Sequence, residues 1–202
     1  MMSAKPVSPK LISELRARTS AGITDCKNAL EESGGDLEKA AELLRKKGIA
    51  KAEKRAGRRA SQGLVVSYLH HNGQVGVLLE LNSETDFVAH TEEFKQLARD
   101  IALHIASADP VGVNPDDIPA DLLERERRIA EEQVTQEGKP EAVRAKIVEG
   151  KLKKFVAERT LVEQPYVKDD SRTVGQLIKE VSGKVGEAIS VRRFARFKVG
   201  EA

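Results

Sequence analysis

Between Pro9 and Gly48 apolar residues recur at helical spacing in three short groups: Leu11, Ile12 and Leu15; Ile23, Cys26, Ala29 and Leu30; Leu37, Ala40, Ala41, Leu43 and Leu44. This spacing predicts three helices, with turns at Gly22 and at Ser33-Gly34-Gly35, Asp36 as an N-cap and Gly48 as a C-cap. A three-helix unit of about 40 residues has too small a core to be more than marginally stable alone. The period then changes. Leu64–Leu69 and Val75–Leu81 are β-rich runs separated by His70-His71-Asn72-Gly73, whose Asn-Gly step signals a hairpin. Ile189 to Val199 alternates, with Ile189, Val191, Arg193, Ala195, Phe197 and Val199 set against Arg192, Phe194, Arg196 and Lys198, and predicts a third strand. Between hairpin and tail, helical patterns run from about Glu92 to Ser107, Pro119 to Glu137, Pro140 to Leu161 and Val174 to Lys184, punctuated by Pro110, Pro115, Gly138, Pro140 and Pro165.

The expected fold class is α+β: a small N-terminal three-helix module followed by a core domain in which a small antiparallel sheet is packed by helices. Residues 45–59, RKKGIAKAEKRAGRR, form the strongest charge run and read as a helical, solvated connector. The chain accordingly divides into a module at 1–50, a basic connector at 51–62 and a core or dimerisation domain at 63–202. No period of 20 to 50 residues repeats.

Charge and composition narrow the function classes. One third of the 202 residues are charged and 40% are hydrophobic, which describes a globular chain able to bury a core. The formal charge of +2 demands neither nucleic acid nor membrane as partner. No apolar run approaches the roughly 20 residues of a membrane span, and Met1–Lys10 lacks the apolar stretch of a secretory signal, so a cytoplasmic location is expected. With no Trp and few other aromatics, the core must rest on Leu, Ile, Val and Ala.

Candidate chemistry is sparse. No Gly-x-x-x-x-Gly-Lys-Ser/Thr loop and no Gly-x-Gly-x-x-Gly element is present, so the chain is not expected to bind a nucleotide itself. His70 and His71, if on a strand, point to opposite faces and make a poor metal pair. His104, with Asp100 one turn earlier, reads as a surface interaction. The single cysteine, Cys26, sits among apolar positions and reads as a buried thiol. The carboxylate pairs Asp116-Asp117 and Glu131-Glu132 point in different directions on a helix and read as solvated faces. These readings predict no catalytic residues, no metal and no cofactor. Nucleic-acid binding led by residues 45–59 is the main rival, weakened by the absence of any aromatic residue for base stacking.

Thr85-Asp86-Phe87-Val88-Ala89 stands between a finished strand and a new helix. Two readings stay open on composition: Phe87 and Val88 pack under the incoming helix, or the segment is a functional loop on a rigid scaffold.

Two ordered motifs bear on that choice. Leu15-Arg16-Ala17-Arg18-Thr19-Ser20-Ala21-Gly22-Ile23-Thr24-Asp25-Cys26-Lys27-Asn28-Ala29-Leu30 resembles the signature that opens the elongation factor Ts family, and Glu80-Leu81-Asn82-Ser83-Glu84-Thr85-Asp86-Phe87-Val88-Ala89 resembles its second signature. Further likeness runs through Glu137-Gly138-Lys139-Pro140, Ile147-Val148-Glu149-Gly150, Glu163-Gln164-Pro165-Tyr166 and Val191-Arg192-Arg193-Phe194, covering Leu11 to Gly200. The resemblance implies a ubiquitin-associated-like N-terminal module, a core that pairs with elongation factor Tu, and a non-enzymatic role in translation as a guanine-nucleotide exchange factor. Carried over, Thr85, Asp86, Phe87 and Val88 would disturb the magnesium site of elongation factor Tu, and Ile23, Thr24 and Asp25 would contact its nucleotide-binding domain. The chain resembles short members with one core half, which implies a homodimer binding two copies of the partner, with no membrane and no nucleic acid required. Ser20, Thr24, Ser83 and Thr160 depart from the usual residues of the family. Without cysteine at 160, such a dimer would be noncovalent.

Overall fold

A computed structural model describes residues 7–19 and 21–201. Ser20 and the first six residues of the N-terminal segment, on which two of the readings above rest, lie outside them. The elements in chain order are α1 (Pro9–Thr19), α2 (Ile23–Glu32), α3 (Leu37–Glu53), β1 (Gln62–Leu69), β2 (Val75–Ser83), α4 (Asp86–Ala89), α5 (Glu92–Ala108), a 3₁₀ turn (Pro115–Asp117), α6 (Ala120–Gln136), α7 (Glu141–Arg159), β3 (Pro165–Tyr166), β4 (Asp169–Thr173), α8 (Val174–Val185) and β5 (Ile189–Lys198). The α+β class is as expected.

Two compact units emerge. The first holds the chain up to Leu64 together with Asn82–Leu97 and Ile178–Ser190. Its three N-terminal helices enclose Leu15, Cys26, Ala29, Leu30, Ala40 and Leu44, the apolar stripe that the helical spacing marks. Left-handed Gly34 and Gly35 (φ 67° and 88°) turn the chain between α2 and α3. Asp36 then caps α3 by accepting the Glu38 and Lys39 amides at 3.0 and 3.1 Å. Cys26 is fully buried, its thiol directed at the Ala21 carbonyl.

Gly48 does not end α3, which continues to Glu53. The close approach of α8 at this point depends on Gly183, where a Cβ would stand 2.7 Å from the Gly48 carbonyl oxygen, whereas a Cβ on Gly48 would meet Gly183 only at 3.9 Å. Glycine in a helix serves a close crossing as readily as a cap.

The second unit holds Val65–Leu81, Ala98–Leu177 and the chain from Val191. The three-stranded sheet runs in the order β1-β2-β5, and the hairpin loop is closed by the His70 amide on the Val75 carbonyl, with Gly73 at φ 70°. Val77, Leu79 and Leu81 of β2 are buried and Leu78 between them is exposed, the alternation of a one-sided sheet. α6 and α7 form a helical hairpin around Ala130, Val134 and Val148. The β3–β4 hairpin leaves no periodic mark in the sequence, because its polar run Asp169–Thr173 carries no apolar alternation.

Two histidine expectations also change. His104 is buried, not on the surface: the Val167 amide donates to Nδ1 at 3.2 Å, and Nε2 lies 2.9 Å from Gln164 Oε1. Since Nδ1 must accept, Nε2 carries the proton and the ring is neutral. Burial holds its pKa below the ordinary value. His70 and His71 lie at and in the loop after β1, so strand alternation does not apply; their ring centroids are 4.2 Å apart.

Candidate functional site

The segment Thr85–Val88 opens as a single helical turn. A four-residue helix cannot hold itself, because nucleation fixes more dihedrals than its few hydrogen bonds repay. Its shape must come from its ends, and both are tied. At the start, Thr85 is extended (φ −125°, ψ 159°). Its amide donates to Glu187 Oε2 at 2.9 Å and its hydroxyl to Glu187 Oε1 at 2.6 Å. The neighbouring Glu84 returns the arrangement, accepting the Ala188 amide at 2.7 Å. The Ser83 hydroxyl donates to the Thr85 carbonyl at 2.8 Å.

At the far end, the His90 amide (3.1 Å) and ring Nδ1 (2.7 Å) both meet the Asp86 carbonyl. The Thr91 amide and hydroxyl both donate to the Val88 carbonyl, and the Thr91 hydroxyl accepts the Phe94 amide, capping α5. Ala89 is buried and forms the floor of the turn.

Between these ties Phe87 is 82% exposed. Of the two readings left open by composition, packing of Phe87 beneath the next helix does not occur. Asp86 is exposed as well, while Thr85 and Val88 are partly buried. An apolar ring is thus held in water on a turn fixed at both ends.

The module residues lie at the start of α2. Ile23 is 60% exposed and Thr24 is exposed, whereas Asp25 is ion-paired to Lys51 at 3.0 Å. A cavity of about 270 Å³ opens beside them, lined in part by Gly22, Asp25, Gly48, Lys51, Gly183 and Lys184.

The basic run turns out to be tied into the protein. Arg45 faces Glu180, Lys46 faces Glu42, Lys47 faces Glu32, Lys51 faces Asp25 and Arg58 faces Glu84, at 2.6 to 3.9 Å. Cations engaged in this way offer a polyanion less than the sequence run suggests. Among the described residues no group of three or more His, Cys, Asp and Glu could hold a metal, and no helix is long and apolar enough to cross a membrane.

The family model described as Elongation factor TS matches residues 13–201. The chain belongs to the elongation factor Ts family. It is 52% identical over 195 residues to the elongation factor Ts of Desulfosudis oleivorans, covering 96% of this chain and 98% of that protein. It is 51% identical to that of Fervidobacterium nodosum and 52% identical to that of Thermosipho melanesiensis, covering 96% of this chain in each case and 99% and 100% of theirs. This elongation factor Ts family member is thus a translation elongation factor. Periodicity could not have found Glu187. It is an isolated acid 102 positions from Thr85, and only the fold brings the two together.

Proposed function

We propose that this chain is a guanine-nucleotide exchange factor that binds elongation factor Tu carrying GDP, disturbs its magnesium site and promotes GDP release for reloading with GTP. The observation that carries the reading is Phe87, exposed on a turn that is fixed at both ends. Thr85, Asp86, Phe87 and Val88 are proposed as the segment that enters the partner beside its nucleotide, and Ile23, Thr24 and Asp25 as the contact of the N-terminal module. The role needs no bond-making by this chain, so it is not an enzyme. The division into module (1–50), connector (51–62) and core (63–202) belongs to the same proposal, as does action in the cytoplasm.

Exchange is a coupling between two binding events. If this chain weakens GDP on the partner by some factor, GDP weakens this chain by the same factor. Magnesium neutralises phosphate charge in such GTPases, and its displacement speeds nucleotide departure. Burying one Phe contributes roughly 1.5–3 kcal/mol, one to two powers of ten in affinity. Phe87 alone therefore cannot account for both binding and nucleotide release, and contacts from the module and the core must share the work.

A two-fold dimer is part of the proposal. In the second unit, Val65 and Leu69 of β1, Leu78 of β2 and Phe197 of β5 are exposed at 69%, 70%, 49% and 70%. Leu69 lies 3.9 Å from where a Gly76 Cβ would stand, which puts it on the Gly76 and Leu78 face, and the ion pair Arg193–Glu80 (2.7 Å) shares the period of that face. An uncovered apolar sheet face suits a second copy of the same surface.

Linkage supplies the test of the exchange reading. The chain and elongation factor Tu of the same organism, mixed without nucleotide, should co-elute on gel filtration, and rising GDP with magnesium should separate them. A complex indifferent to GDP would remove exchange as its function.

A further inference from the structure

We infer that Glu187 is the positioning residue of the exchange segment, holding Phe87 in its projecting pose before the partner arrives. The inference rests on the exchange reading above and adds a residue outside both family signatures.

Three features of the first unit converge on Glu187. α8 ends at Val185, and left-handed Gly186 (φ 81°) redirects the chain, with its amide on the Ser182 carbonyl at 2.9 Å. The Ser182 hydroxyl donates to the Glu187 carbonyl at 2.5 Å, fixing the backbone from which the side chain extends. Both carboxylate oxygens are then used on one residue, Oε2 on the Thr85 amide and Oε1 on the Thr85 hydroxyl. Hydrogen bonds to an ionised acceptor are shorter and stronger than neutral ones, and a two-point contact fixes direction as well as distance. Glu84 and Ala188 close the ring from the other side.

The geometry also explains an oddity of α4. Threonine at an N-cap ordinarily accepts an amide of its own helix, yet Thr85 makes no such bond. Its hydroxyl is turned outward and donates to Glu187. The first turn is thus held by a carboxylate on a distant element rather than by its own cap. Loss of Glu187 would free the start of a turn too short to persist alone. Docking Phe87 would then have to carry the ordering cost that the folded protein has already met.

The test has two arms. In ¹⁵N-labelled free protein, the Thr85 amide should resonate downfield and exchange slowly with solvent, and Glu187→Gln should shift it upfield while leaving the α1–α3 amides in place. In stopped-flow release of fluorescent GDP from elongation factor Tu, Glu187→Gln should lower the saturating rate about tenfold, the scale of one charge-assisted hydrogen bond, and change the half-saturating concentration less. Thr85→Val should do the same, and Thr85→Ser, which keeps amide and hydroxyl, should restore most of the rate. In a Phe87→Ala background, Glu187→Gln should have no further effect; general loosening of the fold would lower the rate in both backgrounds. If Glu187→Gln does not fold, the Thr85→Val and Thr85→Ser pair decides alone. A wild-type saturating rate in Glu187→Gln or Thr85→Val, or additivity with Phe87→Ala, overturns the inference and leaves exchange standing. No acceleration by the wild-type chain overturns both.

Discussion

Gly183 and Gly48 meet backbone to backbone: a Cβ on Gly183 would lie 2.7 Å from the Gly48 carbonyl oxygen and 2.8 Å from its Cα, whereas a Cβ on Gly48 would find Gly183 only at 3.9 Å. The contact is asymmetric. Gly183→Ala must push α3 and α8 apart, because backbone atoms cannot rotate aside, and should destabilise the chain by about 1–3 kcal/mol. Gly48→Ala meets no clash and gains helix propensity, so it should be neutral or stabilising by up to about 1 kcal/mol. Denaturant unfolding of the two variants beside wild type checks both signs.

His104 makes stability depend on pH in a defined direction. Burial holds its folded pKa below that of the unfolded chain, so the unfolded state takes up the proton first as pH falls. Its contribution is complete above about pH 6.5, the ordinary histidine value, and is lost as pH drops from there toward the folded pKa. Tyr166, whose ring centroid is 6.2 Å away, has its phenol pushed up to about 12, chiefly by burial, and stays neutral throughout that window. Unfolding free energies at pH 7.5 and 5.5 should differ more for wild type than for His104→Gln.

Asp36 caps α3 in the exposed turn after Gly35. Its carboxyl is held below the usual carboxylate range, mainly by the Lys39 amide, so this stabilisation is present above that range and fades as the group protonates in acid. Asp36→Ala should lower the thermal midpoint at pH 7 by about 2–4 °C, and Asp36→Asn, which still accepts the Glu38 and Lys39 amides, by less.

The uncovered sheet face gives a prediction about assembly. At micromolar concentration light scattering should return twice the chain mass, and Phe197→Asp should return the mass of one chain without loss of helical signal. A wild-type protein that stays monomeric at that concentration would end the dimer proposal.

The parts of the fold readable in the sequence were those where one face of an element is buried. Cys26, Ala29 and Leu30, or Phe94, Leu97 and Ile101, repeat at helical spacing because one face of each helix is buried. Legibility stopped where the cause was distant in sequence. Gly48 carries the local signal of a cap, yet α3 runs on to Glu53, and the glycine that the crossing requires is Gly183, far along the chain. His104 looks like a surface residue until Gln164, 60 positions on, supplies its partner. Four residues of α4 hold no period, so Thr85–Val88 could be recognised by family likeness but not by pattern, and Glu187 by neither. Exposure of Phe87 was undecidable from composition, since the same Phe-Val pair serves a staple or a docking surface.

The exchange activity is measured by stopped-flow release of fluorescent GDP from elongation factor Tu, with wild-type chain and with Phe87→Ala. Phe87 is exposed at 82%, so its truncation should change unfolding free energy by no more than about 0.5 kcal/mol and leave the fold intact. Wild type should accelerate release, and Phe87→Ala should lose about one to two powers of ten of that acceleration. Release no faster with the wild-type chain than without it would contradict the account.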